Sequence, residues 1–380
     1  MITYKYKLYQ SKQTKHLDAM LSEACFVWNH ALALQKRYYR LYGKYISCAA
    51  MQKHFAKRIK RTYLHSQSAQ EVLERLDLAY TRFFKHLAKR PPKFKKTADF
   101  TSFCYKQGGF SLCGNVFHVN KIKKDYKFSL SRHYNGKVKQ VRVKRSHLNE
   151  WYIYVITDAS PKSYTKTHDG ASVGIDFGLK TYMSLSNGKK ISNPQFLKKN
   201  LRRLKKVSER YSRCLSGSNH KEQARLTLCR LYESISDKRS DFQWKLAHDL
   251  CKQYDIIFIE NLSLSGMIHL WGRKMNDLAH AQFVSILEQV AAKYGCTVHK
   301  IDKWFPSSKL CDCGFKNNNL SLNNRSWVCP HCGQIHDRDV HAAEMILRRG
   351  IYELASNGKT IEPIGFEAVV FEPRISSLQG

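Results

Sequence analysis

The chain opens on Ile2-Thr-Tyr-Lys-Tyr-Lys-Leu-Tyr9, where branched or aromatic positions alternate with polar ones. A period of two predicts a strand with one wet, basic face. The period then changes. From about Thr14 to Lys60, and again from about Ser68 to Lys89, apolar and aromatic residues recur at helical spacing, as in Leu17, Met20, Leu21, Ala24 and then Leu73, Leu76, Leu78, Phe83, Phe84. A helical insertion therefore follows a single strand. Arg90-Pro91-Pro92-Lys93 breaks it, because the second proline restricts the first and neither offers an amide donor. Between Phe100 and about Asp158 short alternating segments, such as Val141 to Lys144 and Trp151 to Thr157, are separated by Gly-Gly, Asn-Gly and Leu-Asn-Glu turns. These predict a small antiparallel barrel or sheet completed by the first strand. Ser160 to Gly170 is a linker by composition.

The pattern of the second half is different. Ala171 to Asn187 predicts a strand, a tight turn and a second strand, with Asp176 inside the first. Two long helices follow from Asn193, separated by Ser216-Gly217-Ser218-Asn219. Asp255 to Glu260 is a short apolar run closing on a carboxylate, the form of a strand buried on both faces. Ala279 to Tyr294 predicts an amphipathic helix and Thr297 to Ile301 a further strand. Strand, strand, helix, strand, helix, strand, with acids at the ends, is the order of a ribonuclease-H-like fold. The expected fold class is thus multidomain α+β.

Composition narrows the partner. At 380 residues and 43% apolar content the chain can bury a core, and the length predicts two or three domains. Lys and Arg total 65 against 30 Asp and Glu, and the net charge of +35 recruits polyanions. Nucleic acid is the expected counter-charge. A membrane surface is the rival, but no apolar run approaches the roughly 18 residues of a spanning helix, and Met-Ile-Thr-Tyr-Lys has no signal-peptide pattern. Eight of the 12 cysteines (Cys25, Cys48, Cys104, Cys113, Cys214, Cys229, Cys251 and Cys296) are spread singly, so they read as core or surface residues in reduced cytoplasm.

Three acids carry the candidate chemistry: Asp176 in Gly-Ile-Asp-Phe-Gly, Glu260 at the end of its strand, and Asp339 in His-Asp-Arg-Asp-Val-His-Ala-Ala. Taken singly, each reads equally as a strand-end acid or a helix cap, Asp339 preceding a helix that begins near Val340. Brought together, they form an oxygen cage for magnesium. Two such ions about 4 Å apart supply a nucleophilic water and shield the leaving oxygen of a phosphodiester. Cys311-Asp-Cys313 and Cys329-Pro-His-Cys332 have ribbon-type spacing for one tetrahedral zinc, with Gly314 and Gly333 after the pairs where knuckle turns need backbone freedom. The first pair is one residue shorter than Cys-X-X-Cys, which strains its knuckle or invites His331 or His336 as a substitute ligand. Eight Lys/Arg against one Glu fall between Phe196 and Arg213. Contact of Arg202, Arg203, Lys205 and Lys206 with a phosphate backbone would relieve their repulsion; a solvated basic helix is the bland reading.

At these residues the chain resembles the TnpB (OrfB) family of transposon-encoded RNA-guided DNA endonucleases, relatives of the compact type V CRISPR nucleases. The resemblance runs nearly end to end. It rests on the opening strand, Phe26-Val-Trp-Asn29, Val173-Gly-Ile-Asp-Phe-Gly-Leu179, Asn200-Leu-Arg-Arg-Leu204, Ile259-Glu-Asn-Leu262 with Ser265-Gly-Met267, Asp302-Lys-Trp-Phe-Pro-Ser-Ser-Lys309, Trp327-Val-Cys-Pro-His-Cys-Gly333 and His336-Asp-Arg-Asp-Val-His-Ala-Ala343.

The resemblance implies a RuvC-like nuclease over 169–306 and 336–362, interrupted by a zinc ribbon at 307–335. It implies a wedge-like barrel from 1–10 and 100–168, a helical recognition lobe at 11–99 and a C-terminal tail at 363–380. Asp176, Glu260 and Asp339 are then the catalytic magnesium ligands, with Asp337 the runner-up for the third. The implied partners are a guide RNA from the element end and duplex target DNA beside a short adjacent motif, in nucleoid-associated prokaryotic cytoplasm. Sequence choice would rest mainly on RNA–DNA pairing. His341 stands where the family usually has Asn, which implies altered tuning. Alternatives are a guided binder without cleavage, marked by a lost acid, and an unguided transposase.

Overall fold

The computed structural model describes residues 1–160, 163–165, 170–261, 272, 277–320 and 324–356; the 363–380 tail and the Ser265-Gly-Met267 motif lie outside them. The chain divides into two compact units, Met1–Pro161 and Lys162–Gly380.

In the first unit, strand β1 (Ile2–Lys7) leads into helices α1 (Lys15–Tyr42), α2 (Cys48–Arg58) and α3 (Ser66–Phe84). Leu17, Met20, Leu21, Ala24, Trp28, Ala31 and Leu32 of α1 are buried, the i, i+3, i+4, i+7 stripe of one helical face. The stretch from Thr14 to Lys60 is two helices, not one. Gly43 takes a left-handed φ of 63° and its N–H returns to Tyr39 O at 2.8 Å, which closes α1, while Ser47 caps α2 through Ala50 N–H. The Pro-Pro segment is strapped to α1. Trp28 Nε1 donates to Lys93 O at 3.1 Å, and Asn29 accepts from Lys95 N–H at 2.9 Å and donates to Lys95 O at 2.8 Å.

The remaining strands of this unit are β2 (Ser102–Tyr105), β3 (Phe110–Cys113), β4 (Val116–Val119), β5 (Lys124–Lys127), β6 (Val138–Arg145) and β7 (Trp151–Thr157). They form an antiparallel sheet of order β1-β7-β6-β2 and a second of order β3-β4-β5, with a bridge between Leu8 and Phe128. The first strand thus enters a sheet whose other members lie between Ser102 and Thr157, pairing Ile2 with Thr157 through to Lys7 with Tyr152.

The second unit is built on a five-stranded sheet. Its strands β8 (Ser172–Phe177), β9 (Thr181–Leu185), β10 (Lys190–Ser192), β11 (Ile256–Glu260) and β12 (Thr297–Ile301) lie in the order β10-β9-β8-β11-β12. β8, β11 and β12 run parallel, and β9 returns antiparallel to β8. Helices α4 (Phe196–Arg213) and α5 (Asn219–Gln253) form a hairpin along an apolar seam of Leu204, Leu231 and Ile235, with an exposed tip at Leu215–Ser218. Asp277 caps α4 by accepting from Leu197 and Lys198 N–H. Helix α6 (His280–Tyr294) follows. The hairpin β13 (Ser326–Val328) and β14 (Ile335–Asp337) then leads into α7 (Arg338–Ser356).

Alternation along the central strands sorts the two faces. Val173, Ile175, Ile257 and Ile259 enter the core with Leu246, Leu250, Phe283 and Leu287 of α5 and α6. The opposite face is covered by α7, whose Ile346 and Leu354 pack with Phe258 and Ile301. The approach of α7 is close. A Cβ on Gly174 would stand 2.0 Å from Ala343 O, and one on Gly350 would stand 1.9 Å from the Phe258 ring.

Candidate active site and cysteine centre

Because α7 presses on the sheet at Gly174, whatever shares that face meets the start of the helix. Asp176 is two residues along β8 from Gly174, and Glu260 is two residues along β11 from Phe258, the register partner of Gly174. Both carboxylates therefore stand at the same end of adjacent parallel strands, on the α7 side, one step past the Ile175–Ile259 pair. Strand spacing alone sets their backbones roughly 5 Å apart. Asp339 lies one helical turn before Ala343, about 6 Å along α7, close to the rise of two strand residues from Gly174 to Asp176. The three acids are thus brought within electrostatic reach.

The pKa of Asp176 registers that reach. Burial, reinforced by the neighbouring charges of Glu260 and Asp339, pushes its carboxyl up to about 8, against a weaker pull from Arg338. Burial also raises Glu260. Two half-buried acids held high, with a third beside them, form a patch of like charge. Carboxylate oxygens are the hard donors that magnesium prefers, and here the three stand in a looser set than the cysteine sulfurs, not all within 4.8 Å of one another. Arg325, on the residue before β13, holds Asp339 through Nη1 at 3.0 and 3.1 Å.

Asp337 is placed differently. Its Oδ1 accepts from Asp339 and Val340 N–H at 3.2 Å, and its other oxygen takes Lys190 Nζ at 2.7 Å. The cap of α7 is therefore Asp337, and Asp339 is left in the first turn with its side chain turned to Arg325. Lys190 and the backbone amides hold the Asp337 carboxyl below its usual range, although burial opposes them.

The four clustered cysteines also converge. Their sulfurs all lie within 4.8 Å of one another, with Cys311–Cys332 at 3.5 Å and Cys313–Cys329 at 3.6 Å. A tetrahedral zinc with Zn–S near 2.3 Å needs sulfurs about 3.8 Å apart. The set fits zinc. The short first pair is absorbed in its turn: Gly314 N–H closes on Cys311 O, three residues back, whereas Gly333 N–H closes on Cys329 O, four back, both at 2.9 Å. Both glycines carry the left-handed φ that such turns require, 85° and 74°. His331 stacks on Phe315, and His336 is buried with Nε2 3.1 Å from Cys311 Sγ. No disulfide joins cysteines among the described residues.

His341 faces the cysteine segment. Its Nε2 lies 2.8 Å from Leu310 O, and the carboxylates nearest it are Glu344 at 3.5 Å and Asp312 at 4.0 Å. On α4, Arg202, Arg203, Lys205 and Lys206 are all exposed, opposite buried Leu204; Glu209 reaches Lys205 at 4.0 Å.

Residues 154–270 match the IS605 OrfB family, described as "Probable transposase". Residues 280–346 match a family described as "Cas12f1-like, TNB domain", and residues 1–44 one described as "Helix-turn-helix domain". A protein of Streptomyces pristinaespiralis named "Putative RNA-guided DNA endonuclease" is 30% identical over 367 residues, 92% of this chain and 89% of its own. The chain belongs to the IS605 OrfB (TnpB) family. A second TnpB-family relative, "Putative RNA-guided DNA endonuclease InsQ" of Escherichia coli K12, is 27% identical over 378 residues and covers 93% of each chain. The mixed α/β fold is shared with the protein in "Cryo-EM structure of the Cas12f1-sgRNA-target DNA complex", at a TM-score of 0.57 and 16% identity over 88% of this chain and 83% of that one. Within this TnpB-family chain, residues 1–44 hold one strand and one long helix rather than two stacked helices. No helix among the described residues is long and apolar enough to cross a membrane.

Sequence reasoning missed Arg325, Gly174 and Gly350. Gly174 had a signal, since a glycine two residues before a strand-end acid marks a face approached by backbone. Arg325 had none, because its partner is 14 residues away across a hairpin.

Proposed function

We propose that this chain is a TnpB-type RNA-guided DNA endonuclease that hydrolyses target DNA in a RuvC-like, ribonuclease-H-like core spanning 169–306 and 336–362. The observation that carries the reading is the meeting of Asp176, Glu260 and Asp339 at one end of β8, β11 and α7, with Asp176 driven up to about 8 by burial and by the other two charges. These three carboxylates would hold magnesium, two ions being the expected number. Bound magnesium supplies a water acidic enough to attack at neutral pH and neutralises charge on the leaving oxygen.

The protein's own residues do the rest. The sheet fixes Asp176 and Glu260 with little freedom to reorganise, and α7 brings Asp339 within electrostatic reach of Asp176. Asp337 holds the start of α7, which favours Asp339 as the third ligand. Release of Asp339 from Arg325 exposes its oxygens to a cation, and leaves the guanidinium able to meet a phosphate.

The four cysteines hold zinc in a closed structural site over 307–335, which leaves no position for water. Residues 1–10 and 100–168 serve as the wedge and 11–99 as the recognition lobe, with guide RNA and duplex target DNA as partners. The exposed Arg202, Arg203, Lys205 and Lys206 contact phosphates. A soluble, nucleoid-associated cytoplasmic protein follows from this reading.

Purified protein with its guide and a matched target tests the proposal. Asp176→Ala is expected to abolish cutting while leaving guide and target binding intact; cutting at the parental rate rejects it. The description "Probable transposase" keeps a second reading in play, a transposase acting without a guide. Sequencing of RNA retained by the purified protein separates the two, since an unguided enzyme carries no discrete species. A guided binder without cleavage is disfavoured by the presence of all three acids.

A further inference from the structure

The two cysteine knuckles differ by one residue, and the donors to their sulfurs differ with them. In the second knuckle the backbone N–H groups of His331 and of Cys332, two and three residues further on, favour a charge on Cys329 Sγ, and Gly333 N–H closes the turn on Cys329 O at 2.9 Å. In the first, Cys313 N–H, two further on, does the same for Cys311 Sγ. The amide three further on is Gly314, and it is already spent on Cys311 O at 2.9 Å. Shortening the knuckle has removed one amide from the sulfur.

A side chain stands in that place. His336 Nε2 is 3.1 Å from Cys311 Sγ, and the ring is buried between Trp327 and His341, with centroids 4.7 and 3.9 Å away. It is not a ligand in the sulfur set: the group of close donor atoms to which it belongs is Asp312, His336 and His341, apart from the four cysteines. Nor is that second group a metal site of its own. Arg348 Nη1 occupies Asp312 at 2.7 Å, and His341 Nε2 is turned to Leu310 O at 2.8 Å.

We propose that His336 donates through Nε2–H to the Cys311 thiolate, replacing the amide that the short knuckle lacks, and so couples zinc retention to the helix that carries Asp339. The inference rests on the four cysteines holding zinc. Four thiolates give zinc an excess of negative charge, and N–H donors to sulfur disperse it and fix the ligand's orientation. His336 lies on β14, whose last residue, Asp337, caps α7 two residues before Asp339. A ring fixed on the zinc-bound sulfur therefore fixes the start of the helix as well.

Zinc affinity of the full chain, measured by competition with a chromophoric chelator, is the test. His336→Phe keeps a ring in the Trp327–His341 stack and removes the donor; it is expected to weaken zinc binding by about 10- to 100-fold. His336→Gln, whose Nε2 reaches nearly the same place, should keep most of the affinity. In a chain lengthened to Cys-X-X-Cys by one glycine inserted after Asp312, His336→Phe should cost little, because the restored amide serves the sulfur. A wild-type chain without zinc overturns the reading of the cysteines themselves. Bound zinc with equal affinity in wild type and His336→Phe overturns only the donor role. A loss, or a failure to fold, that the inserted glycine leaves unrelieved reduces His336 to packing.

Discussion

The acid cluster and the cysteine cluster both gather candidate metal-ligating side chains, and they are held by opposite means. Asp176 and Glu260 sit on strands backed by the large core shared with α5 and α6, so the fold exists first and forces the carboxylates together against their repulsion. The cysteine hairpin has almost no core of its own: Leu320, Trp327 and Phe315 pack with the buried Cys311 and Cys329. In the first region structure imposes the ligands, and in the second the ligands must impose structure. Metal withdrawal should separate them.

The largest effect is expected in the cysteine hairpin. Cys329→Ser, or stripping zinc by chelation, should melt the hairpin locally and loosen the start of α7 that carries Asp339, lowering cleavage by about 100-fold while the sheet survives. Hydrogen exchange, with amides around 310–337 losing protection and those of β8 and β11 keeping it, checks this. Equal protection in both regions would erase the contrast.

Next comes the contact that gives the acid cluster its shape. Gly174→Val would push α7 off β8 where a Cβ already meets Ala343 O at 2.0 Å, and about 3 kcal/mol of stability should be lost. Urea unfolding reads the loss directly. A neutral result would mean that α7 does not need its tight seat.

The pH dependence of metal-free protein measures how strongly the fold forces the carboxylates together. Asp176 has a folded pKa above its unfolded one, so its contribution is fully present below about pH 4 and is lost as pH rises through about 8. Stability without magnesium should therefore fall across that window. Asp176→Asn should flatten the slope and gain on the order of 2 kcal/mol at pH 8, a figure discounted for the half-buried position. Thermal melts over pH 4 to 9 decide it. A slope unchanged by the substitution would place the strain elsewhere.

The smallest effect lies outside both clusters. Neutralising Arg202, Arg203, Lys205 and Lys206 should leave stability within about 0.5 kcal/mol and lower the salt dependence of nucleic-acid binding by up to about 3 in log–log slope. An unchanged slope would return α4 to a solvated helix.

Much of the second unit was legible from pattern because its strands are buried and short. Ile256-Ile-Phe-Ile-Glu260 has no plausible life outside a sheet, and α6 and β12 fell where periodicity put them. β10 was not legible; Lys190-Ile-Ser192 is an edge strand of three residues with one apolar position. The break at Gly43 was not placed because helical spacing resumes at Met51 and Phe55, half a turn out of phase with α1, and the left-handed glycine and the Ser47 cap mark the stop. At the acids, the sequence proposed three side chains and offered Asp339 as the helix cap, a place that Asp337 takes. In Asp-Arg-Asp either acid could begin the helix, and the N–H groups of Asp339 and Val340, both donating to Asp337 Oδ1, show which one does.

The exposed α4–α5 tip at Leu215–Ser218 has a practical consequence. It joins two helices whose mutual seam lies away from the turn, at Leu204, Leu231 and Ile235, and Leu215 itself is 81% exposed. Chain spliced in there, such as a fluorescent tag or a tethered effector domain, would lengthen a loop at modest entropic expense without touching either ligand cluster.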